Sequence, residues 1–170
     1  MHRAILAVVL AITLAPAGSA SNLTSSRSAL VSHKRRAHPV ITLERTVCFG
    51  SCPVYKLTIY SDGRVLYQGI RFVKRIGRAE GRISRKALDA LVQEFTNNEF
   101  FGLYDAYVPG SPGCPQVATD LPSAIISLEL NGKKKTVRHY HGCAGLSALK
   151  VLTELEAHID AAVNSKKWIK

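Results

Sequence analysis

Two stretches of the chain alternate apolar and polar residues on either side of a turn dipeptide. Over residues 54–60, Tyr55, Leu57 and Ile59 fall on one side of an extended chain, and residues 62–63 read Asp-Gly before a second run of the same kind. Alternation with a period of two is typical of a strand. Asp-Gly between two such runs predicts a hairpin, because both turn residues tolerate positive φ.

The second stretch repeats this arrangement. Ala124, Ile126, Leu128 and Leu130 alternate with other residues, residues 131–132 read Asn-Gly, and residues 133–140 return as a second run. Residues 40–47 predict one more strand, and residues 69–81 predict another with bends at two glycines. The sheet is therefore expected to consist mainly of hairpins.

Two segments have the three- and four-residue spacing of amphipathic helices. Ser84 is a typical helix N-cap, and an apolar stripe follows at residues 88, 91, 92 and 95. A longer stripe runs from about Leu146 to Val163. The segment between the first helix and the second hairpin, residues 105–118, is rich in Pro and Gly and predicts a loop.

Strand hairpins punctuated by single helices predict an α+β fold. We expect a single domain in which an antiparallel sheet of hairpins carries two helices packed on one face. The opposite face would remain open to a partner, and Lys56, Thr58, Arg138 and Tyr140 would lie on it.

The first twenty residues resemble a secretory signal. Arg3 precedes an apolar run from Ala4 to Leu14, and small residues lead to a predicted cleavage after Ala20. The apolar run is short for a membrane anchor, and no later stretch predicts a transmembrane segment. We therefore divide the chain into a signal peptide (1–20), a flexible N-terminal arm (21–39) and a folded domain (40–170), with a periplasmic or secreted location.

The chain is strongly basic, with 23 Lys and Arg against 12 Asp and Glu and a formal net charge of +11. An exported protein seldom meets nucleic acid, so we expect an anionic envelope component or an acidic protein as partner. Solvated hairpin tips and edge strands are the alternative explanation for the same residues. The candidate anion-binding surface consists of Lys74, Arg75, Arg78, Arg82, Lys133, Lys134 and Lys135.

The chain has four cysteines, Cys48, Cys52, Cys114 and Cys143, which allow three pairings. An even number of cysteines in an exported chain favours disulfide bonds. Pairing nearest neighbours closes one five-residue ring and one thirty-residue ring, which the chain-entropy model values at about 2 and about 3.6 kcal/mol. We favour this pairing, with both bonds structural.

The alternative for the first pair is a copper or thiol-redox site. Cys48, Cys52 and Pro53 form a Cys-x-x-x-Cys-Pro element that resembles the motif of Sco-type copper chaperones. Those chaperones have a thioredoxin-like fold, whereas the sequence here has no parallel βαβ pattern. His139 and His141 lie on one strand face and are available as further ligands. For at least one of them we favour the role of a hydrogen-bonded, half-buried histidine beside the second disulfide over that of a ligand.

Signatures of enzymes are missing from the sequence. It contains no Gly-x-Ser-x-Gly, no His-Glu-x-x-His and no Gly-rich phosphate loop. Asp62 and Asp120 are the most tempting acids, but each is explained by its turn. We therefore expect a binding or interaction domain without a cofactor, and we name no catalytic residue.

Several of these pieces together resemble a known family. The segments "LERTVCFGSCPVYKLTIYSDGRVLYQG", "TDLPSAIISLELNGKKKTVRHYHG", "LEAHID" and "KKWIK" are similar to DUF6438, a family of exported bacterial proteins of unknown function. The resemblance covers roughly residues 41–169, and its most specific piece is the Cys-Phe-Gly-x-Cys-Pro element. It implies the fold and export, and it implies no catalytic residue.

Overall fold

The structure is a computed structural model that describes residues 37–170. The predicted signal peptide and residues 21–36 of the predicted arm lie outside the described residues. A 3-10 turn at Phe100–Gly102 follows the first helix. The elements are β1 Pro39–Arg45, β2 Val54–Tyr60, β3 Arg64–Arg71, β4 Gly77–Arg82, α1 Arg85–Asn97, β5 Ala106–Tyr107, β6 Gln116–Val117, β7 Ser123–Leu130, β8 Lys133–Tyr140, β9 Cys143–Ala144, α2 Ser147–Val163 and α3 Lys166–Ile169.

Seven strands form one sheet in the order β4-β3-β2-β1-β7-β8-β5. Every neighbouring pair in it is antiparallel except β5 and β8, which are parallel. β6 and β9 form a separate two-stranded ribbon. The predicted α+β class is confirmed, with β1 joining the two hairpins at the centre of the sheet.

The two hairpin turns differ in geometry. Asn131 and Gly132 both have positive φ, 52° and 76°, as a two-residue turn of the predicted kind requires. In the first hairpin only Gly63 has positive φ (80°), and residues 61–63 form a three-residue loop. The Asp62 carboxylate instead accepts a hydrogen bond from the backbone N–H of Arg64 (3.0 Å), which stabilises the turn.

The inner face of the sheet packs against both helices in one core. Leu43, Leu57 and Ile126 are fully buried, and so are Phe95 of α1 and Leu152 of α2. Ser84 caps α1 as predicted, since its hydroxyl accepts the N–H of Ala87.

The outer face of the sheet is more exposed. Lys56 and Arg138 are exposed, and Thr58 and Tyr140 are half-buried. No helix within residues 37–170 is long and apolar enough to cross a bilayer.

The structure corrects three details of the sequence prediction. The segment 69–81 is not one bent strand, because residues 72–76 form a turn between β3 and β4. The backbone N–H groups of Lys74 and Arg75 donate to carbonyls of Ile169 and Trp168, which ties this turn to the unpredicted helix α3. The segment 105–118 also contains the short strands β5 and β6.

Candidate binding site

Two paired residues at the end of the central strands begin a network of polar side chains. Arg45 on β1 and Tyr55 on β2 are direct cross-strand partners. The Arg45 Nε–H donates to the Tyr55 hydroxyl (2.9 Å), and that hydroxyl donates to Asp160 Oδ1 (2.7 Å). The antiparallel register therefore fixes both side chains against the same acid of α2.

Two acids of α2 lie one helical turn apart, and Arg45 joins them. The Arg45 Nη1 contacts Glu156 Oε2 at 2.9 Å, and its Nη2 contacts Asp160 Oδ2 at 2.8 Å. The Ser165 hydroxyl adds a further hydrogen bond to Asp160 Oδ1 (2.7 Å). One guanidinium thus bridges two carboxylates, which suits its fixed fork of donors.

Two histidines of β8 and the segment after it complete the network on the other side of Glu156. The distance from His139 Nδ1 to Glu156 Oε1 is 2.8 Å, and that from His141 Nε2 to Glu156 Oε2 is 2.7 Å. Their alternation on an extended chain brings both rings to one face, with ring centroids 4.8 Å apart. Because Glu156 is a carboxylate, each imidazole donates from the named nitrogen.

The carboxylate and the two imidazoles at the centre of this network are largely shielded from water. The side chains of Glu156 and His139 are 1% and 3% exposed, and that of His141 is 25% exposed. Burial by itself would raise the pKa of Glu156, but hydrogen bonds from His139 and His141 and the charge of Arg45 outweigh it and lower the pKa to about 2. Glu156 is therefore a buried carboxylate that stays ionised.

The same contacts act on Arg45 and Tyr55. Burial alone would lower the pKa of Arg45, but Tyr55, Asp160 and Glu156 outweigh it and raise that pKa. Burial, and next the charge of Asp160, raises the pKa of the Tyr55 phenol. At neutral pH Glu156 is therefore a carboxylate, Arg45 a guanidinium and Tyr55 a neutral phenol.

Arg45 retains donors for a ligand. Of its five N–H groups, the one on Nε is shared by Tyr55 and Asp160, one on Nη1 goes to Glu156 and one on Nη2 goes to Asp160. The second N–H on Nη1 and the second on Nη2 have no hydrogen-bond acceptor within residues 37–170.

A cavity of about 290 Å³ opens beside this network. Its walls are mostly apolar. The lining residues are Arg45, Cys52, Pro53, Tyr55, Pro122, Ser123, His141 and Ile169.

A second cavity, of about 570 Å³, shares Arg45 and is lined by Asp160 and Ser165. We place the site in the smaller cavity, because it combines apolar walls with a few convergent polar groups and includes His141.

The first disulfide bond forms part of the cavity wall. Cys48 and Cys52 are bonded, with Cα atoms 5.8 Å apart, in the loop between β1 and β2. Gly50 has a φ of 142°, which only glycine adopts readily. The bond holds Phe49 at the tip of this loop with 88% of its surface exposed.

The second disulfide bond joins Cys114 to Cys143, with Cα atoms 4.9 Å apart. It fixes the Pro- and Gly-rich segment to the end of the second hairpin, next to the β6–β9 ribbon. The prediction of disulfide bonds is confirmed.

The structure does not bring the predicted basic residues together. Lys74, Arg75 and Arg78 lie at the β3–β4 turn and the start of β4, whereas Arg82 ends that strand. Lys133–Lys135 belong to β8, which four other strands separate from β4, a distance of about 24 Å at ordinary strand spacing. The predicted basic surface is therefore two groups on distant strands.

Lys135 also makes hydrogen bonds within the domain. Its ammonium group donates to the Leu103 carbonyl (2.6 Å) and to the Asp105 carboxylate. Its side chain is 16% exposed, so it offers little to a partner.

Of the candidate site residues, only Cys52 and His141 share the cavity, and His139 lies beneath it. The sequence prediction missed Arg45, Tyr55, Glu156 and Asp160. A signal for one of them was present, because Glu156 follows Leu152 by four residues and precedes Ile159 by three, on the apolar stripe of α2.

The class of protein is thus a mostly antiparallel α+β domain with two disulfide bonds and a buried polar network under a small cavity. A family model described as Domain of unknown function (DUF6438) matches residues 39–163 of the 170-residue chain. The chain belongs to this family, as the resemblance indicated. No curated protein matches the sequence.

Proposed function

We propose that the protein is an exported, disulfide-stabilised binding domain that takes up a small ligand in the cavity lined by Arg45 and His141 and carries out no reaction on it. The observation that carries this proposal is the pairing of an apolar-walled cavity with unpartnered N–H groups of Arg45. A polar network of this size is costly to bury, and such networks cluster at functional sites.

The cavity suggests the chemistry of the ligand. Pro53, Pro122, Ile169 and the disulfide bond favour an apolar body, and the two remaining N–H groups of Arg45 favour an oxygen acceptor. A volume of about 290 Å³ suits a single ring or a short chain that ends in a carbonyl or carboxylate group.

The contacts of the histidines favour binding over catalysis. Within residues 37–170, no hydroxyl or thiol donates a hydrogen bond to the ring of His139 or His141. Ser123 lines the cavity with His141, but its hydroxyl is not bonded to that ring. A nucleophile activated by a neighbouring base normally lies within hydrogen-bond reach of that base.

Benzoate and benzamide are suitable probes, because they share a ring and differ in the charge of the head group. We expect amide and side-chain NMR signals of cavity residues to shift on titration with at least one of them. Ser123→Leu, which fills the cavity without removing a buried charge, should abolish those shifts. The control Ser147→Leu changes an exposed position at the start of α2 and should leave them unchanged. Shifts that are absent, or that survive in Ser123→Leu, would contradict the proposal.

Export is supported by the signal-like start of the sequence and by two disulfide bonds. Intact-mass analysis of protein recovered from the cell envelope, alkylated without reduction, should give a chain that begins at residue 21. Peptides linked through Cys48–Cys52 and Cys114–Cys143 should follow from digestion. A full-length chain retained in the cytosol would contradict export.

The β3–β4 turn is proposed as the contact with an anionic envelope component. Ile70, Phe72 and Ile76 are 53%, 43% and 60% exposed there, and Lys74 and Arg75 lie between them. Apolar side chains interleaved with cations suit an anionic lipid surface. Binding to vesicles that contain phosphatidylglycerol, weakened by salt and by Lys74→Ser/Arg75→Ser but not by Lys133→Ser/Lys134→Ser, is the expected result. Equal loss in both double variants would contradict it.

A copper or thiol-redox function is the second candidate, since Cys52 and His141 line the same cavity. A dithiol such as dithiothreitol would reduce the Cys48–Cys52 bond to two thiols and become a cyclic disulfide itself. The two sulfurs and an imidazole would then suit Cu(I). Cu(I) binding by the reduced protein, lost in Cys52→Ser, would support this function, and no binding by the reduced protein would exclude it.

A further inference from the structure

Three side chains of the network, His139, His141 and Glu156, also have the composition of a metal site. A ring nitrogen of His139, a ring nitrogen of His141 and a carboxylate oxygen of Glu156 lie within 4.8 Å of one another. The nitrogen–oxygen separations of 2.7 and 2.8 Å are hydrogen-bond distances. Neighbouring ligands of one tetrahedral zinc ion, which bonds nitrogen and oxygen at about 2.0–2.2 Å, lie about 3.4 Å apart, so the side chains would separate by roughly 0.6 Å to admit the ion.

The charge of the network leaves room for a cation. Counted formally, the carboxylates of Glu156 and Asp160 outnumber the guanidinium of Arg45 by one negative charge, and imidazoles that bind a metal ion add none. A divalent ion would change this balance to one positive charge, which an anionic ligand head in the cavity could neutralise. Asp160 is bonded to the same guanidinium, so it partly offsets the repulsion between Arg45 and an ion.

We propose that His139, His141 and Glu156 bind one zinc-type divalent ion, with both cysteines remaining in their disulfide bond. The inference rests on the proposed function, because His141, one of the three ligands, lines the same cavity. Each imidazole would bind through the nitrogen that contacts Glu156 and carry its proton on the other ring nitrogen.

The donor set decides the class of ion. Two imidazoles and one carboxylate suit Zn²⁺ and its neighbours, whereas Ca²⁺ and Mg²⁺ prefer sites built of oxygen. Three protein ligands leave a position for water or for the head group of a ligand. The Arg45–Glu156 contact would orient the carboxylate from outside the coordination shell.

The chain offers a matched control for this site. His158 Nδ1 contacts Glu94 Oε2 at 2.6 Å, but this pair is exposed on the helices. It has the same two side-chain types and a similar distance, and no second histidine contacts that glutamate within residues 37–170. Only the buried group should bind an ion tightly.

The test is a Zn²⁺ titration of the purified, oxidised, untagged protein after treatment with a chelator. Calorimetry should show that one Zn²⁺ ion binds tightly to each chain. Co²⁺ bound in its place should give the visible absorption of an ion with few ligands. His141→Ala should weaken the affinity at least tenfold, and His158→Ala should not change it. Glu156→Gln serves as a second variant, and circular dichroism checks the fold of each.

No tight equivalent, an unchanged affinity in the folded His141→Ala variant, or an equal loss in His158→Ala would overturn the inference. The benzoate and benzamide titrations, repeated on the chelator-treated protein, keep the two proposals apart. Binding of either probe without Zn²⁺ binding removes only the metal site. Zn²⁺ binding without a response to either probe contradicts only the small-ligand cavity.

Discussion

Two histidine–glutamate contacts in this molecule have similar lengths and different surroundings. His158 and Glu94 meet at 2.6 Å with side chains 54% and 38% exposed, while His139 and Glu156 meet at 2.8 Å with 3% and 1% exposed. Water solvates the first pair in the folded and unfolded states alike. The second pair has lost that water, so its energy depends on every other partner of Glu156.

The comparison shows that distance alone does not rank these contacts. An exposed ion pair contributes about 0–1 kcal/mol whatever its length. A buried carboxylate must keep all its donors, because a missing one leaves a charge without compensation. His139, His141 and Arg45 together supply those donors.

The largest effect should come from removing the guanidinium. Arg45→Met leaves Glu156 and Asp160 without their shared cation, and we expect a loss of about 4 kcal/mol in the free energy of unfolding. Urea denaturation measures it. Arg85→Met, which breaks the exposed pair of Arg85 with Asp89, should cost below about 0.5 kcal/mol. Similar losses of unfolding free energy in both variants would show that burial does not make one ion pair more important than the other.

Acid should destabilise the protein over a defined pH range, because it protonates Glu156. The pKa of Glu156 is lowered from 4.5 to about 2 by His139, His141 and Arg45, with Asp160 bonded to the same guanidinium. A lowered pKa gives stability that is complete above pH 4.5 and lost as the pH falls toward 2, on the order of 3 kcal/mol.

Urea midpoints between pH 6 and 2, measured with a chelator present, test this range. Glu94→Gln should keep the acid loss, and Glu156→Gln should flatten it. A profile that Glu156→Gln leaves unchanged would assign the loss to other groups.

Removing one buried donor should have a smaller effect. His139→Ala leaves one oxygen of Glu156 without its imidazole, and we expect a loss of about 2 kcal/mol. Chemical denaturation at pH 7 measures it. A loss of less than about 0.5 kcal/mol would mean that water or a rearranged side chain replaces the imidazole at no cost.

The smallest effect should come from the exposed pair. His158→Ala should change the free energy of unfolding by less than about 1 kcal/mol, and the change should shrink in 1 M NaCl, which screens exposed charges. Thermal denaturation at two salt concentrations measures it. A loss as large as that of His139→Ala would contradict the comparison.

The sequence predicted the parts of the fold that local patterns encode. Period-two alternation located β2 and β7, and the turn dipeptides located the returning strands β3 and β8. The Asn-Gly turn and the Ser84 cap have the expected geometry. The position of β1 between β2 and β7 could not be predicted, because strand order depends on contacts between residues far apart in the chain. The same reason explains why the two basic groups looked like one surface.

The candidate site was less predictable than the fold. Arg45 and Asp160 are 115 residues apart in the chain, and neither belongs to a recognisable motif. His139 and His141 were singled out because they alternate on a strand, and a hydrogen-bonded histidine was the favoured role, but the sequence did not identify Glu156 as the partner. The charged residue on the apolar stripe of α2 was the one local sign that a buried network would form there.

The central claim is that ligands meet the buried network and not the exposed pair. Imidazole nitrogen NMR signals of the ¹⁵N-labelled protein, recorded before and after one equivalent of Zn²⁺ and separately with benzoate, test it directly. The account predicts shifts of His139 and His141 with Zn²⁺, a shift of His141 with benzoate, and an unchanged His158. Shifts of His158 with His139 and His141 unchanged would contradict it.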